Sequence, residues 1–341
     1  LLMMMRRRIM VLALTVALLV ANLPVYGESL IWTTKVIKRP DGAVMYNKID
    51  QEGSFECPTW GASSSEVLLT MSKGSYGSAY SNLCLMDTKT SRISVLTHEH
   101  NKRIESGNGL LYDTGRIFYT EISNGISQLR QLKSKVYATG LVVEAVELGD
   151  FPRSLDVGNP SLSPDGHKMA FDGASDKTRI DGSPIRQIYI MNDENDEVIQ
   201  MTYDSTEKRR PRWSNDGLVL LYEQYDDQFR DWSLYVMDYS GKHHRRLTYS
   251  TGNETYGSFS PDGGWVVFSS DETMDGESLD KNKLFLISLY SGETLQLTEA
   301  SFYDTMPCWS ADGSRIVFQA SPKEPSSYGL SWIAIVEAPD I

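Results

Sequence analysis

One short phrase recurs along this chain and leaves little choice in what it can fold into. It reads Asn159-Pro160-Ser161-Leu162-Ser163-Pro164-Asp165-Gly166. It returns as Arg210-Pro211-Arg212-Trp213-Ser214-Asn215-Asp216-Gly217, as Gly257-Ser258-Phe259-Ser260-Pro261-Asp262-Gly263 and as Met306-Pro307-Cys308-Trp309-Ser310-Ala311-Asp312-Gly313. A weaker copy is Cys57-Pro58-Thr59-Trp60-Gly61. Equivalent positions are 58, 160, 211, 258 and 307, so the steps are 102, 51, 47 and 49 residues. The first step is two periods. A further copy is expected near 109, where Gly109-Leu110-Leu111-Tyr112-Asp113-Thr114-Gly115 stands. A period near fifty marks a repeat architecture, in which one unit cannot bury its own faces and needs its neighbours.

Each unit continues in the same order. After Asp-Gly comes an apolar strand, such as Met169-Ala170-Phe171, Val219-Leu220-Leu221-Tyr222, Val266-Val267-Phe268 or Ile316-Val317-Phe318. A variable loop follows, then a second strand such as Leu234-Tyr235-Val236-Met237 or Leu284-Phe285-Leu286-Ile287. A Tyr-Ser-Gly turn comes next, and the unit closes on Leu96-Thr97, Met201-Thr202, Leu247-Thr248 or Leu297-Thr298. Proline presets φ, aspartate bonds its own backbone and glycine takes the positive φ that closes the turn. Four short strands per unit and six units predict an all-β, six-bladed β-propeller with four antiparallel strands per blade. Blades are expected to start near 55, 107, 158, 209, 256 and 305. The last unit has strand patterns near 307–310, 315–320 and 331–337 and lacks a fourth. One of the strand-like segments Trp32–Ile37 and Val44–Ile49, joined through Pro40-Asp41-Gly42, is therefore expected to supply it and close the ring. Residues 133–148 read as the extended outer strand of the second blade.

The phrase Pro-x-Trp-Ser-Pro-Asp-Gly, followed by an apolar strand, a Tyr-Val-Met-Asp-like strand and Leu-Thr, resembles the WD-like repeat of the TolB-like six-bladed propellers. The resemblance runs over residues 55 to 337. It implies a fold more than a function. TolB-type relatives carry an α/β domain ahead of the propeller that contacts other envelope proteins, and prolyl-oligopeptidase relatives add a hydrolase domain. Neither is expected within these 341 residues, so neither domain's function carries over.

Arg6, Arg7 and Arg8 precede an apolar run from Ile9 to Leu23, then Pro24 and Val25-Tyr26-Gly27. This reads as a signal peptide over 1–27, cleaved near Gly27, with one propeller domain over 28–341. The expected location is periplasmic or secreted, with no stable membrane span after cleavage. The net charge of −12 argues against nucleic acid, which needs a basic face. Cys57, Cys84 and Cys308 read as small core fillers.

No Gly-x-Ser-x-Gly, Gly-x-x-x-x-Gly-Lys, His-Glu-x-x-His or Cys-x-x-Cys occurs. His98 and His100, in His98-Glu99-His100, are the densest candidate metal ligands, and a solvated loop is the plainer reading. The loop 271–280 faintly resembles a calcium loop, with Asn282 where the bidentate glutamate belongs. No other cofactor is expected. Loops entering each first strand bring Glu105, Asp156, Lys208, Glu254 and Asp304 to one mouth of the channel, with Arg209 and Arg210 beside them. The loops 225–232, with Phe229, Arg230 and Trp232, and 172–186 are expected to open on the same face. The sequence therefore reads as a monomeric, non-enzymatic binding scaffold for a protein or peptide partner. The alternative is an enzyme acting on carbohydrate or peptide at the channel mouth, as a metal-assisted lyase or hydrolase.

Overall fold

The computed structural model describes residues 32–38, 41–48, 54–60, 64–73, 80–97, 103–105, 117–123, 126–137, 140–147, 156–192, 195, 197–250, 252–272, 278–299, 302–321 and 331–339. All regular structure among them is β. Strands β1 (Trp32–Lys38) and β2 (Val44–Lys48) pair as a hairpin. Then come β3 (Ser54–Trp60), β4 (Glu66–Lys73), β5 (Tyr80–Asp87) and β6 (Arg92–Val95), followed by β7 (Arg103–Glu105), β8 (Ile117–Ser123), β9 (Ile126–Tyr137) and β10 (Gly140–Glu147). The third set is β11 (Gly158–Leu162), β12 (Lys168–Thr178), β13 (Pro184–Asn192) and β14 (Val198–Gln200). The fourth is β15 (Lys208–Trp213), β16 (Val219–Asp226), β17 (Asp231–Asp238) and β18 (Arg245–Arg246). The fifth is β19 (Glu254–Phe259), β20 (Trp265–Glu272), β21 (Ser278–Ser288) and β22 (Thr294–Gln296). Last are β23 (Tyr303–Trp309), β24 (Arg315–Ser321) and β25 (Trp332–Glu337).

Every pairing is antiparallel and every set is a meander. Among the described residues the strands form five hydrogen-bonded sheets: four of four strands, and one of nine ordered β23-β24-β25-β2-β1-β6-β5-β4-β3. Six separate sheets were expected. The nine-stranded sheet arises because β1 pairs on one edge with β2 and on the other, over Trp32↔Ile93 and Thr33↔Arg92, with β6. Strand β2 pairs with β25 through Val44↔Ile335, Met45↔Ala334 and Tyr46↔Ile333. In the second set, residues 133–137 belong to β9, and β10 begins only at Gly140. The turn expected at 109–115 lies outside the described residues.

The recurring phrase folds identically wherever it is complete. Ser163, Ser214, Ser260 and Ser310 donate their hydroxyls to Asp165, Asp216, Asp262 and Asp312 at 2.5, 2.6, 2.6 and 2.7 Å. Each serine oxygen also accepts the N–H of the residue opening the next strand, as Lys168 and Val219 do at 2.9 and 3.0 Å. The turn glycines sit at φ between +70° and +78°, where only glycine is unstrained. Three of these serines follow an aromatic ring, which packs on the preceding sheet. Trp213 lies against Ala170, Ile188 and Ile190, Phe259 against Leu221 and Leu234, and Trp309 against Val267, Leu284 and Leu286. Trp60 packs with Val317, Ile333 and Ile335, so β3 faces β24 and β25 across the same kind of seam. The closing threonine ends each set. Oγ1 of Thr97, Thr202, Thr248 and Thr298 accepts the N–H of Leu83, Ile188, Leu234 and Leu284 at 2.9, 2.9, 3.0 and 3.1 Å. It takes over the ladder bond where the short outer strand leaves the sheet.

These turns carry a pH signature. Hydrogen bonds from serine and backbone hold the Asp165, Asp216 and Asp262 carboxyls below the ordinary carboxylate range, and the same bonds outweigh burial at Asp312. A lowered folded value contributes stability that is present above about pH 4 and lost as pH falls through it. Ser214→Ala should cost about 1 kcal/mol and make acid unfolding shallower, measured by urea titration at pH 7 and pH 3. Trp213→Ala should cost about 3–5 kcal/mol in the same assay at neutral pH.

Candidate functional site

The first strand of five sets carries the same irregularity. The register with the second strand slips between Glu56 and Thr59, Gly158 and Ser161, Arg209 and Arg212, Thr255 and Ser258, and Thr305 and Cys308. At each slip one non-glycine residue takes positive φ: Cys57 (51°), Asn159 (47°), Arg210 (52°), Tyr256 (59°) and Met306 (55°). Four of these precede proline, where helical conformations are disfavoured. In the other, Gly257 replaces proline, and a Cβ there would lie 2.5 Å from Leu221 Cδ2. Side chains held against their backbone preference are the kind found at binding and catalytic sites.

Three of these bulges are held by a side chain from the sheet before. Arg210 N–H donates to Asp172 Oδ2 at 2.9 Å, Tyr256 N–H to Glu223 Oε1 at 2.6 Å, and Cys57 N–H to Gln319 Oε1 at 3.2 Å. Asp172, Glu223 and Gln319 occupy one position of the repeat, just after Phe171, Tyr222 and Phe318. Sequence reasoning missed this set, although a polar residue in register after each apolar run was its visible signal.

Around these acceptors the arginines gather. Arg186 donates Nε to Asp172 Oδ1 at 2.6 Å and Nη1 to Asp156 Oδ2 at 3.0 Å. Gly158 leaves room for it, since a Cβ there would be 2.8 Å from Arg186 Nη2. Arg209 Nε and Arg210 Nη1 both donate to Glu223 Oε2, at 2.6 and 2.8 Å. Arg209 lies 3.5 Å over the Trp232 ring and Arg210 4.1 Å over the Tyr256 ring. Burial alone would raise the Glu223 carboxyl, but Arg210 and Arg209 hold it below its ordinary value. Burial raises the Tyr256 phenol, whose oxygen accepts Arg210 Nη2 at 3.1 Å.

Successive first strands β11, β15, β19, β23 and β3 touch in that order. Arg212 on β15 is nonetheless coupled electrostatically to Cys308 on β23, and Tyr256 on β19 to Cys57 on β3.

The expected entry residues are placed less uniformly. Asp156 is partly exposed and pairs with Arg186. Lys208, Glu254 and Asp304 are buried. Lys208 Nζ is held by Asp204 and by Thr206, whose Oγ1 is 2.7 Å away, and burial pulls its ammonium down. Glu254 accepts Thr248 Oγ1 at 2.9 Å. Its Oε1 and both oxygens of neighbouring Asp231 are buried without a described hydrogen-bond partner, and burial pushes Glu254 up to about 8. Glu105 ends β7. Phe229 and Arg230 are exposed in the turn between β16 and β17. The expected long loop 172–186 is mostly strand, because β12 runs to Thr178 and β13 starts at Pro184. His98 and His100 lie outside the described residues, as do 273–277 of the acidic loop. Among the described residues no three His, Cys, Asp or Glu side chains are grouped to hold a metal ion.

No family model matches this sequence. The uncharacterized protein Atu1656 of Agrobacterium fabrum is 27% identical over 188 residues, covering 52% of this chain. The match spans 59% of that relative's length. Among solved structures, TolB from Acinetobacter baumannii superposes with a TM-score of 0.57 at 16% identity, over 90% of this chain and 79% of that one. A putative TolB from Agrobacterium tumefaciens gives 0.55 at 18% identity, over 84% and 91%. The fold is a TolB-like β-propeller. An oligogalacturonate lyase in complex with manganese also shares it, with a TM-score of 0.56 at 11% identity over 93% and 99%.

Glu223→Gln removes the charge that two guanidinia share in a buried setting. It should cost about 3–5 kcal/mol, measured by chemical denaturation. Glu254 behaves oppositely. Its raised value means that stability is greatest below its ordinary 4.5 and declines as pH climbs to about 8. Glu254→Gln should remove that decline, so that variant and parent match near pH 4 and the variant is the more stable above pH 8.

Proposed function

We propose that this chain is an exported, six-bladed TolB-like propeller that binds a protein or peptide partner at its loop face and channel mouth. The observation that carries the reading is an aromatic and cationic collar at one end of the sheets. In an antiparallel meander, the turns between second and third strands and the links between successive sets emerge at the same end. That end bears exposed Ile180, Tyr203, Phe229 and Tyr249. Behind them the Trp232 ring, 5.2 Å from Tyr225, is clamped by Arg209, which leads to the channel residues. Arg179 pairs with Glu207, and Lys177 donates to the Tyr203 carbonyl, which ties adjoining loops together. Aromatic and arginine side chains on a preorganised frame are what interface anchors are made of.

Six blades are supported by the seams. Apolar clusters join β4 and β5 with β8, β8 with β12 and β13, β13 with β16, β17 with β20, β21 with β24, and β24 and β25 with β4 and β5. On this reading the nine-stranded sheet is two blades bridged by β1, and β2 is the fourth strand of the last blade. Met45→Pro should then destabilise the whole protein by 3 kcal/mol or more, about the cost of proline within paired structure, and not merely fray one edge. A denaturation midpoint equal to that of the parent would remove this reading of closure.

Export is proposed from Arg6–Arg8 and the apolar run 9–23. The mature protein is expected to start near Glu28, which mass spectrometry of secreted or periplasmic material checks. No helix among the described residues is long and apolar enough to cross a membrane. For binding, Trp232→Ala and Phe229→Ala should each weaken a captured envelope partner tenfold or more, about 1.4 kcal/mol, with the melting temperature little changed for Phe229→Ala. A partner retained equally by both variants counts against this face.

A further inference from the structure

Three buried carboxylate oxygens stand without a hydrogen-bond partner among the described residues: both of Asp231 and Oε1 of Glu254. Asp231 opens β17 at 3% exposure and Glu254 opens β19 at 0%. A chain of hydrogen bonds brings the two residues to one place. Asp231 and Ser233 share a side of β17, because strand side chains alternate. Arg246 Nη2 donates to Ser233 Oγ at 2.8 Å, and its Nε donates to the Thr248 carbonyl at 2.6 Å. Thr248 Oγ1 donates to Glu254 Oε2 at 2.9 Å, which leaves Oε1 uncommitted. The Trp232 N–H reaches Asn253 Oδ1 at 3.3 Å, so the residues next to Asp231 and Glu254 also meet. Arg246 stands between the two carboxylates, yet its hydrogen bonds go to Ser233 and Thr248 and to neither of them.

We infer that Asp231 and Glu254 together hold a calcium ion between β17 and β19. Buried carboxylates need a counter-charge or a proton. One shared proton bridges two oxygens at most, whereas a divalent cation can take all three and cancel both charges. The uncommitted atoms are all carboxylate oxygens, the hard ligands that calcium and magnesium prefer. Magnesium demands a near-ideal octahedron and gives up its water reluctantly, while calcium tolerates irregular geometry. Oxygens this deeply buried therefore favour calcium. Two carboxylates do not fill its shell, and water completes it. The ion would pin the link from Thr248 to Glu254, which carries exposed Tyr249, against the strand that carries Trp232. Calcium binding is measured without a partner, so it and the partner-binding reading can fail separately.

The full-length mature protein, stripped with chelator, is titrated with calcium chloride in a calorimeter at pH 7 and constant ionic strength. One ion per chain should bind, with a Kd of about 1 mM or tighter. Calcium at a hundredfold excess over Kd should raise the melting temperature by about 5 °C, and equal magnesium should raise it less. Asp231→Asn and Glu254→Gln should each weaken calcium tenfold or more. In chelator Glu254→Gln should melt no lower than the parent, and saturating calcium should lift the parent above it. Asp275→Asn, in the acidic loop 271–280, should bind calcium as the parent does. Terbium in the site should luminesce when tryptophan is excited, because Trp232 adjoins Asp231, and calcium should displace it. Trp232→Phe should lose most of that luminescence while keeping its calcium affinity. Absence of saturable calcium binding up to about 10 mM overturns the inference, as does binding that both carboxylate variants keep or that Asp275→Asn abolishes. Should neither carboxylate variant fold, terbium decides: luminescence that Trp232→Phe leaves intact overturns it.

Discussion

A backbone N–H at the bulge of one first strand, given to a polar side chain of the sheet before it, is the contact on which the centre of this molecule depends. Asp172 takes the N–H of Arg210, Glu223 that of Tyr256, and Gln319 that of Cys57. Each bond crosses a seam between sheets, where the apolar clusters on either side are non-directional and fix distance but not angle. The bulge residue is held at positive φ. Without the acceptor, the bulge would keep an unpaired backbone donor in a largely dry place, which costs about 1–3 kcal/mol.

The same contact explains why charge collects at the axis. Asp172 and Glu223 are buried carboxylates and tolerate burial only when paired. Their partners are Arg186 for the first and Arg209 and Arg210 for the second. Two rings, Trp232 and Tyr256, then cover the faces of the latter pair. A latch that began as backbone satisfaction thereby builds a rigid cationic wall. That wall faces the end where Phe229, Tyr203 and Tyr249 stand exposed. Rigidity here is what makes the face suitable for binding, because its anchors lose little freedom when a ligand arrives.

The meander was legible because its signals are local. Serine, aspartate and glycine at fixed offsets close a turn by bonding their own neighbours, so the four complete copies at 163–166, 214–217, 260–263 and 310–313 act alike. The pairing of an N-terminal strand with the last set was also readable, since that set lacked a partner for β25. The candidate site was legible only in part. Arg209 and Arg210 share Glu223, and Arg209 lies over the Trp232 ring. Lys208, Glu254 and Asp304 share the entry position yet turn into the protein. Side-chain direction at a strand's first residue depends on the link before it, and those links differ between sets.

What the sequence determined alone was the unit, its turns, its period and the ring that each unit presses on its neighbour, because each follows from chemistry within a few residues. Tertiary structure decided which charges meet. Arg186 and Asp156 lie thirty residues apart, and Arg210 and Tyr256 forty-six. No local pattern encodes those meetings. They arise because sheets arranged about an axis bring one position of every repeat to the same small opening, where electrostatic interactions are strong and the number of partners is few.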